Sequence, residues 1–187
     1  MEPLKPTEKL ISEHNIIKRA LKVLQAMCNK LDTGDLIPAD HFRQVTRFII
    51  KFADKHHHLK EEDILFREMG KAGFPQQGGP VAVMLMEHDE GRSYVKNIVT
   101  AIPDYEAGST EAAAIIQQNG RAYANLLSQH IQKEDNILYP MADERLSPDQ
   151  QELMREEFIE AEERNYREED IESILKQLEA LVAIYSE

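Results

Sequence analysis

The 187-residue chain has one cysteine, Cys28, and no tryptophan. A single cysteine excludes an intramolecular disulfide and makes a reducing compartment the default expectation. It also excludes iron–sulfur clusters and cysteine-based zinc sites. Positive charge is in deficit: 22 Lys and Arg against 34 Asp and Glu leave a formal charge of −12. An acidic surface repels phosphate backbones and anionic lipids, so neither nucleic acid nor membrane is an expected partner. No apolar run approaches the ~18–20 residues that span a bilayer. The stretch Met1-Glu2-Pro3-Leu4-Lys5 has no apolar signal-peptide core, so a cytoplasmic location is expected. Runs that alternate β-branched or aromatic with polar residues are missing, which argues against strands. There is no phosphate loop, dinucleotide fingerprint or recognisable nucleophile arrangement.

Gly and Pro number only 8 each, and they cluster. Breaks fall at residues 32–38, 70–80, 103–109 and 140–148. Between them, apolar residues recur at steps of three and four. This spacing predicts helices over about residues 7–31, 40–69, 80–102 and 109–139. The fold expected is all-α: an antiparallel up-down four-helix bundle over residues 1–146. Ser147, Pro148 and Gln150 form a capping-box signature. They open a C-terminal helical extension, residues 147–187, with helices expected over 148–166 and 169–185. The extension is expected to pack on the bundle or on a partner subunit, with a homodimer through these helices as one outcome.

His and Glu interrupt the apolar rows at places that repeat. His57-His58-Leu59-Lys60-Glu61-Glu62-Asp63-Ile64-Leu65-Phe66 aligns with His130-Ile131-Gln132-Lys133-Glu134-Asp135-Asn136-Ile137-Leu138-Tyr139. The offset, 57 to 130, is 73. Glu13-His14 and Glu87-His88 share nearly the same offset, 74. The chain reads as a duplicated two-helix unit, each offering a lone His and then His-x-x-x-Glu. Residues four apart share a helix face, with Cβ atoms about 5–6 Å apart, so each His and Glu can bind one metal together. Two pairs and two single histidines turned inward give four imidazoles and two carboxylates, and each carboxylate can bridge two metals. Such a nitrogen and oxygen site suits iron, with manganese or zinc as weaker options. An inward Glu without a partner costs several kcal/mol, and a metal removes that cost.

The pattern resembles the hemerythrin-like family, also called the HHE cation-binding domain, over about residues 7–141. The matching residues are His14, His57, Glu61, His88, His130 and Glu134. The strings Met86-Glu87-His88-Asp89-Glu90-Gly91-Arg92 and His130 to Pro140 carry the likeness. The resemblance implies a non-haem di-iron centre, oxo- or hydroxo-bridged, held by histidines and two bridging carboxylates. It implies oxygen, nitric oxide or peroxide as small ligands, with reversible binding, sensing or repair of iron–sulfur centres as roles. Oxygen-carrying members have a fifth His one turn after the third-helix His; here that position is Arg92. Arg stays protonated and cannot ligate iron. Its guanidinium is expected to pair with a carboxylate near the site and to leave one metal more open to external ligand.

Consecutive helical residues point about 100° apart, as 3.6 residues make a turn. Of His56, His57 and His58, only one is therefore expected to face the core. The repeat selects His57; His58 with Glu62 is the alternative register. Tyr123, two turns before His130, is a candidate to reach a carboxylate or bound ligand. His41 is expected at the surface, and Met27, Met84, Met86 and Met141 as packing. Leu10, Ile17, Leu85 and Leu127 are expected to line a dry pocket. Because imidazoles ligate only when neutral, metal affinity is expected to fall below about pH 6. Redox or iron-delivery chemistry, and a metal that only fixes the fold, are the competing readings.

Overall fold

Helix starts follow local chemistry. Pro6 opens the first helix, and the Glu8 carboxylate accepts the Lys5 backbone N–H at 2.9 Å. Ser109 accepts the N–H of Ala112. Ser147 and Gln150 cap each other reciprocally, as the sequence predicts. Gly34 and Gly108 end two helices in the left-handed region (φ 83° and 93°) that side chains disfavour.

The computed structural model describes residues 4–75 and 77–185. Residues 1–3 of the N-terminal reading and 186–187 of the extension lie outside the described residues. Among the described residues all regular structure is helical, in six helices and no strand. Helix α1 is Pro6–Asp32. Helix α2 covers residues 39–71 and contains two π-helical stretches, Ile49–His58 and Glu61–Leu65. Helix α3 is Pro80–Glu106. Helix α4 covers residues 110–145, with a π-helical stretch at Glu134–Leu138. Helices α5 and α6 are Pro148–Glu169 and Ile171–Tyr185. No helix among the described residues is long and apolar enough to cross a membrane.

Two expected breaks are corrected. Helix α3 runs through Pro103, and α4 runs through Pro140. Both prolines are exposed, so water can take the carbonyl that a missing N–H leaves free. Pro140 also follows directly on a π turn, whose wider bonding accommodates the ring.

Apolar residues form two separate clusters. One contains Ile17, Ala53, Val95 and Leu127. The other contains Leu10, Leu65, Met84 and Leu138. On each of α1 to α4 the repeated His and Glu positions lie between members of the two clusters, forming a buried polar layer. Helix α5 packs Met154 and Phe158 into the second cluster, and α6 packs Ile171, Ile174 and Leu178 into the first. His41 is half-buried rather than on the surface, and its Nδ1 lies 2.6 Å from the Tyr185 hydroxyl at the end of α6. Met27 and Met84 are buried, whereas Met86 and Met141 lie outside the buried core.

Candidate metal centre

The polar layer gathers two groups of donor atoms. His14, His57, Glu61 and Glu134 form one; His58, His88, His130 and Glu61 form the other. Glu61 belongs to both, and all seven residues are buried. Within each group the Nε2 atoms face one another. His14 and His57 approach to 2.9 Å, and His88 and His130 to 3.0 Å. Each carboxylate straddles the two groups. Glu134 lies 3.3 Å from His14 and 3.2 Å from His130. Glu61 lies 3.7 Å from His57 and 3.5 Å from His88. The six residues selected by the repeat are therefore brought together.

His58 corrects the expectation that only one of three consecutive histidines faces inward. Bonding from i to i+5 fits about one extra residue into a turn. Neighbouring side chains then share a sector that an α-helix would give to one. His57 goes to His14, while His58 stacks on His88 with ring centroids 3.9 Å apart. His58 thus supplies a fifth imidazole from the helix facing Arg92. The alternative pairing of His58 with Glu62 does not occur; Glu62 turns to His88. His56 is also buried, outside both groups.

A second layer fixes the imidazoles. Four Nδ1 atoms are committed to carboxylates: His14 to Asp135 at 2.6 Å, His57 to Glu13 at 2.8 Å, His88 to Glu62 at 2.7 Å and His130 to Glu87 at 2.9 Å. Such bonds set the tautomer and leave Nε2 as the inward donor. Each carboxylate has its own cation: Lys18 on Asp135, Lys60 on Glu13, Arg92 on Glu62 and Lys133 on Glu87. Lys18 and Arg92 stand at equivalent places of the repeat, as do Lys60 and Lys133. Arg92 also binds Asp54 and Asp89.

Two aligned pairs break the symmetry. Ile131 stands where the repeat has His58, and Phe66 stands where it has Tyr139. The Tyr139 hydroxyl donates to Glu61 and lies 3.3 Å from His14 Nε2. Phe66 stacks near His88 without a polar group. Tyr139 was legible only as an aligned aromatic. Tyr123 is buried against Gly91 and lines a cavity beside His58 and His88. Burial, reinforced by the Asp54 charge, pushes its phenol up. Of the expected pocket, Leu10, Ile17 and Leu127 are buried and Leu85 only partly.

The electrostatics are those of a cation site. Burial alone would raise the Glu61 carboxyl, but the facing histidines hold it well below its ordinary value. Glu134 is held down too, against both burial and the charge of Glu61. Burial lowers His14 and His88, yet the nearby carboxylates of Asp135 and Glu134, and of Glu61 and Glu62, raise both to about 9. Burial pushes His58 down to about 3, so it stays a neutral donor. Glu61 Oε2, both Glu134 oxygens and His58 Nδ1 are buried without a hydrogen-bond partner. Orphaned carboxylate oxygens among inward imidazoles fit metal cations, which would satisfy them.

A third group, Glu13, His56 and Glu162, surrounds the ammonium of Lys60, which pairs with both carboxylates.

The family model described as hemerythrin HHE cation binding domain matches residues 5–142. An uncharacterized protein of Mycobacterium tuberculosis and one of Mycobacterium bovis are each 24% identical over 173 residues, covering 92% of this chain and 67% of theirs. A protein of Salmonella schwarzengrund named iron-sulfur cluster repair protein YtfE is 35% identical over 108 residues, 54% of this chain and 47% of that one. The chain thus matches about half the length of that relative. No solved structure matches.

Proposed function

The chain belongs to the hemerythrin HHE cation-binding domain family, and on that premise we propose that it is a non-haem di-iron protein binding or sensing oxygen, nitric oxide or peroxide. Its four site-bearing helices would act as an antiparallel up-down bundle around the centre. His14, His57 and Glu134 would hold one iron, and His58, His88 and His130 the other. Glu61 and Glu134, each lying between imidazoles of both groups, would be shared by the two. The observation that carries this reading is the set of orphaned Glu61 and Glu134 oxygens, each carboxylate between imidazoles of both groups. When bound, iron would supply one-electron redox change and open positions for a small ligand.

The protein's own part is geometric. The four carboxylates on Nδ1 keep the imidazoles aimed, and the paired cations keep those carboxylates ionised. The Tyr139 hydroxyl places a proton donor on Glu61. The two apolar clusters exclude water on both sides of the layer. His58 restores five imidazoles despite Arg92, so the openness expected from Arg92 is reduced on the His88 side.

A second reading, iron delivery or redox chemistry in repair of iron–sulfur centres, is favoured by the likeness to the protein named for that repair. Stopped-flow mixing of the reduced protein with oxygen and with nitric oxide separates the readings. A stable optical adduct supports binding or sensing. Multiple turnover supports the second reading, and inertness would leave a metal that only holds the fold.

A further inference from the structure

A cavity of about 330 Å³ lies between α3 and the π-helical stretch Ile49–His58 of α2. Its α3 wall runs from His88 to Thr100, about 18 Å at 1.5 Å per residue. Ile49, Ile50, Asp54 and His58 form the facing wall, and Tyr123 and Leu127 the floor. That volume over that length leaves a mean cross-section of about 18 Å². Carbon atoms in contact sit about 4 Å apart, so one alkyl chain needs about 16–20 Å². On average, therefore, the slot has room for one such chain across. A diatomic molecule, comparable to a water with its share of ~30 Å³, would fill about a tenth of it.

The ends of the slot differ. His58 and His88 lie at one end, where His58 Nδ1 has no hydrogen-bond partner. Lys96, Val99 and Thr100 lie at the other, where the Val99 side chain is an exposed apolar lip. The charges between are already matched. Arg92 holds Asp54 and Glu62, and Glu87 receives Lys133 and His130. Lys96 makes no ion pair among the described residues.

We propose that this slot binds a medium-chain aliphatic carboxylate, its head group on Lys96 and its chain on Ile50, Val95, Val99 and Leu127, with the tail directed at His58 and His88. An apolar cavity of ~150 Å³ takes benzene, so on that scale the slot of about 330 Å³ holds about a dozen carbons. Lys96, Ile50, Val95, Val99 and Leu127 are not among the residues assigned to the metals, so this binding goes beyond the di-iron reading and does not depend on it.

Equilibrium dialysis of the purified full-length protein with radiolabelled decanoate tests the proposal. Saturable binding of one decanoate per chain is expected. Butyrate should bind at least about a thousandfold more weakly, since it lacks six methylenes and each buried one contributes about fourfold. Val99→Trp, at the exposed lip, should block the slot and weaken decanoate at least about tenfold while circular dichroism stays unchanged. Lys96→Ala should weaken decanoate about threefold and leave 1-decanol unchanged. Non-saturable uptake, or binding that Val99→Trp leaves intact, overturns the proposal. Equal effects of Lys96→Ala on acid and alcohol overturn the head-group assignment. Iron content measured on the same samples judges the metal reading separately.

Discussion

Lys60 and Lys133 occupy equivalent places in the two repeats, and each binds the carboxylate that orients a histidine. Lys60 is fully buried, held between Glu13 and Glu162 at 2.8 Å under the ring of Phe158. The Lys133 side chain is 38% exposed and pairs with Glu87 alone among the described residues. The difference comes from α5, which lays Glu162 and Phe158 over the first repeat and leaves the second facing solvent. The inner layer is unequal as well. The His14 side gains the Tyr139 hydroxyl, and the His88 side gains His58 and the alkyl-wide slot. A duplicated sequence has thus become a centre with one sealed and one accessible half.

The bluntest way to break the comparison is to remove what both halves share. Glu61→Ala should abolish retention of both metals, read as metal per chain after gel filtration, with helix content preserved by circular dichroism. Next, Lys60→Met should destabilise the protein by about 3–5 kcal/mol in urea, because it strands two carboxylates on a buried site. Lys133→Met should cost less than about 1 kcal/mol, since its pair is partly solvated. Equal costs would refute the sealed and accessible halves.

His58→Ala makes the second group resemble the first. It should weaken one metal by about 10–100-fold in a chelator titration and spare the other. Tyr139→Phe makes the first half match the second at the position where that half carries Phe66. It should cost the metal-free protein about 1–3 kcal/mol, because Glu61 loses a buried donor.

Acidity sharpens the comparison most gently. His14 and His88, raised to about 9, are both protonated in the metal-free protein at pH 7. Metal loading should therefore release about two protons per chain, read by calorimetry in two buffers of different ionisation enthalpy. Their contribution to metal-free stability is complete below the ordinary imidazole value of 6.5 and is lost as pH rises through about 9. Metal affinity should climb across the same window, which moves the expected fall-off at about pH 6 upward.

The helical class was legible because apolar residues recur at steps of three and four, and Gly, Ser and Pro mark most ends. The inward cluster of His14, His57, Glu61, His88, His130 and Glu134 was legible because duplication writes it twice. His58 was not, because α-helical angles turn it away from His57's face and the chain is π-helical there. The repeat did hold a clue: the π stretches Glu61–Leu65 and Glu134–Leu138 fall in register, each opening on an inward Glu. Lys60 was visible as a repeated charge. Its burial was not, since Glu162 lies 102 residues further on. Pro103 and Pro140 misled because an exposed proline near a helix end costs little.

The central claim is that two irons share Glu61 between imidazoles of both repeats. Iron determination with Mössbauer spectroscopy on freshly purified protein tests it most directly. The account predicts two irons per chain, magnetically coupled, in wild type and none in Glu61→Ala. One isolated iron, or an iron content that Glu61→Ala leaves unchanged, would contradict it.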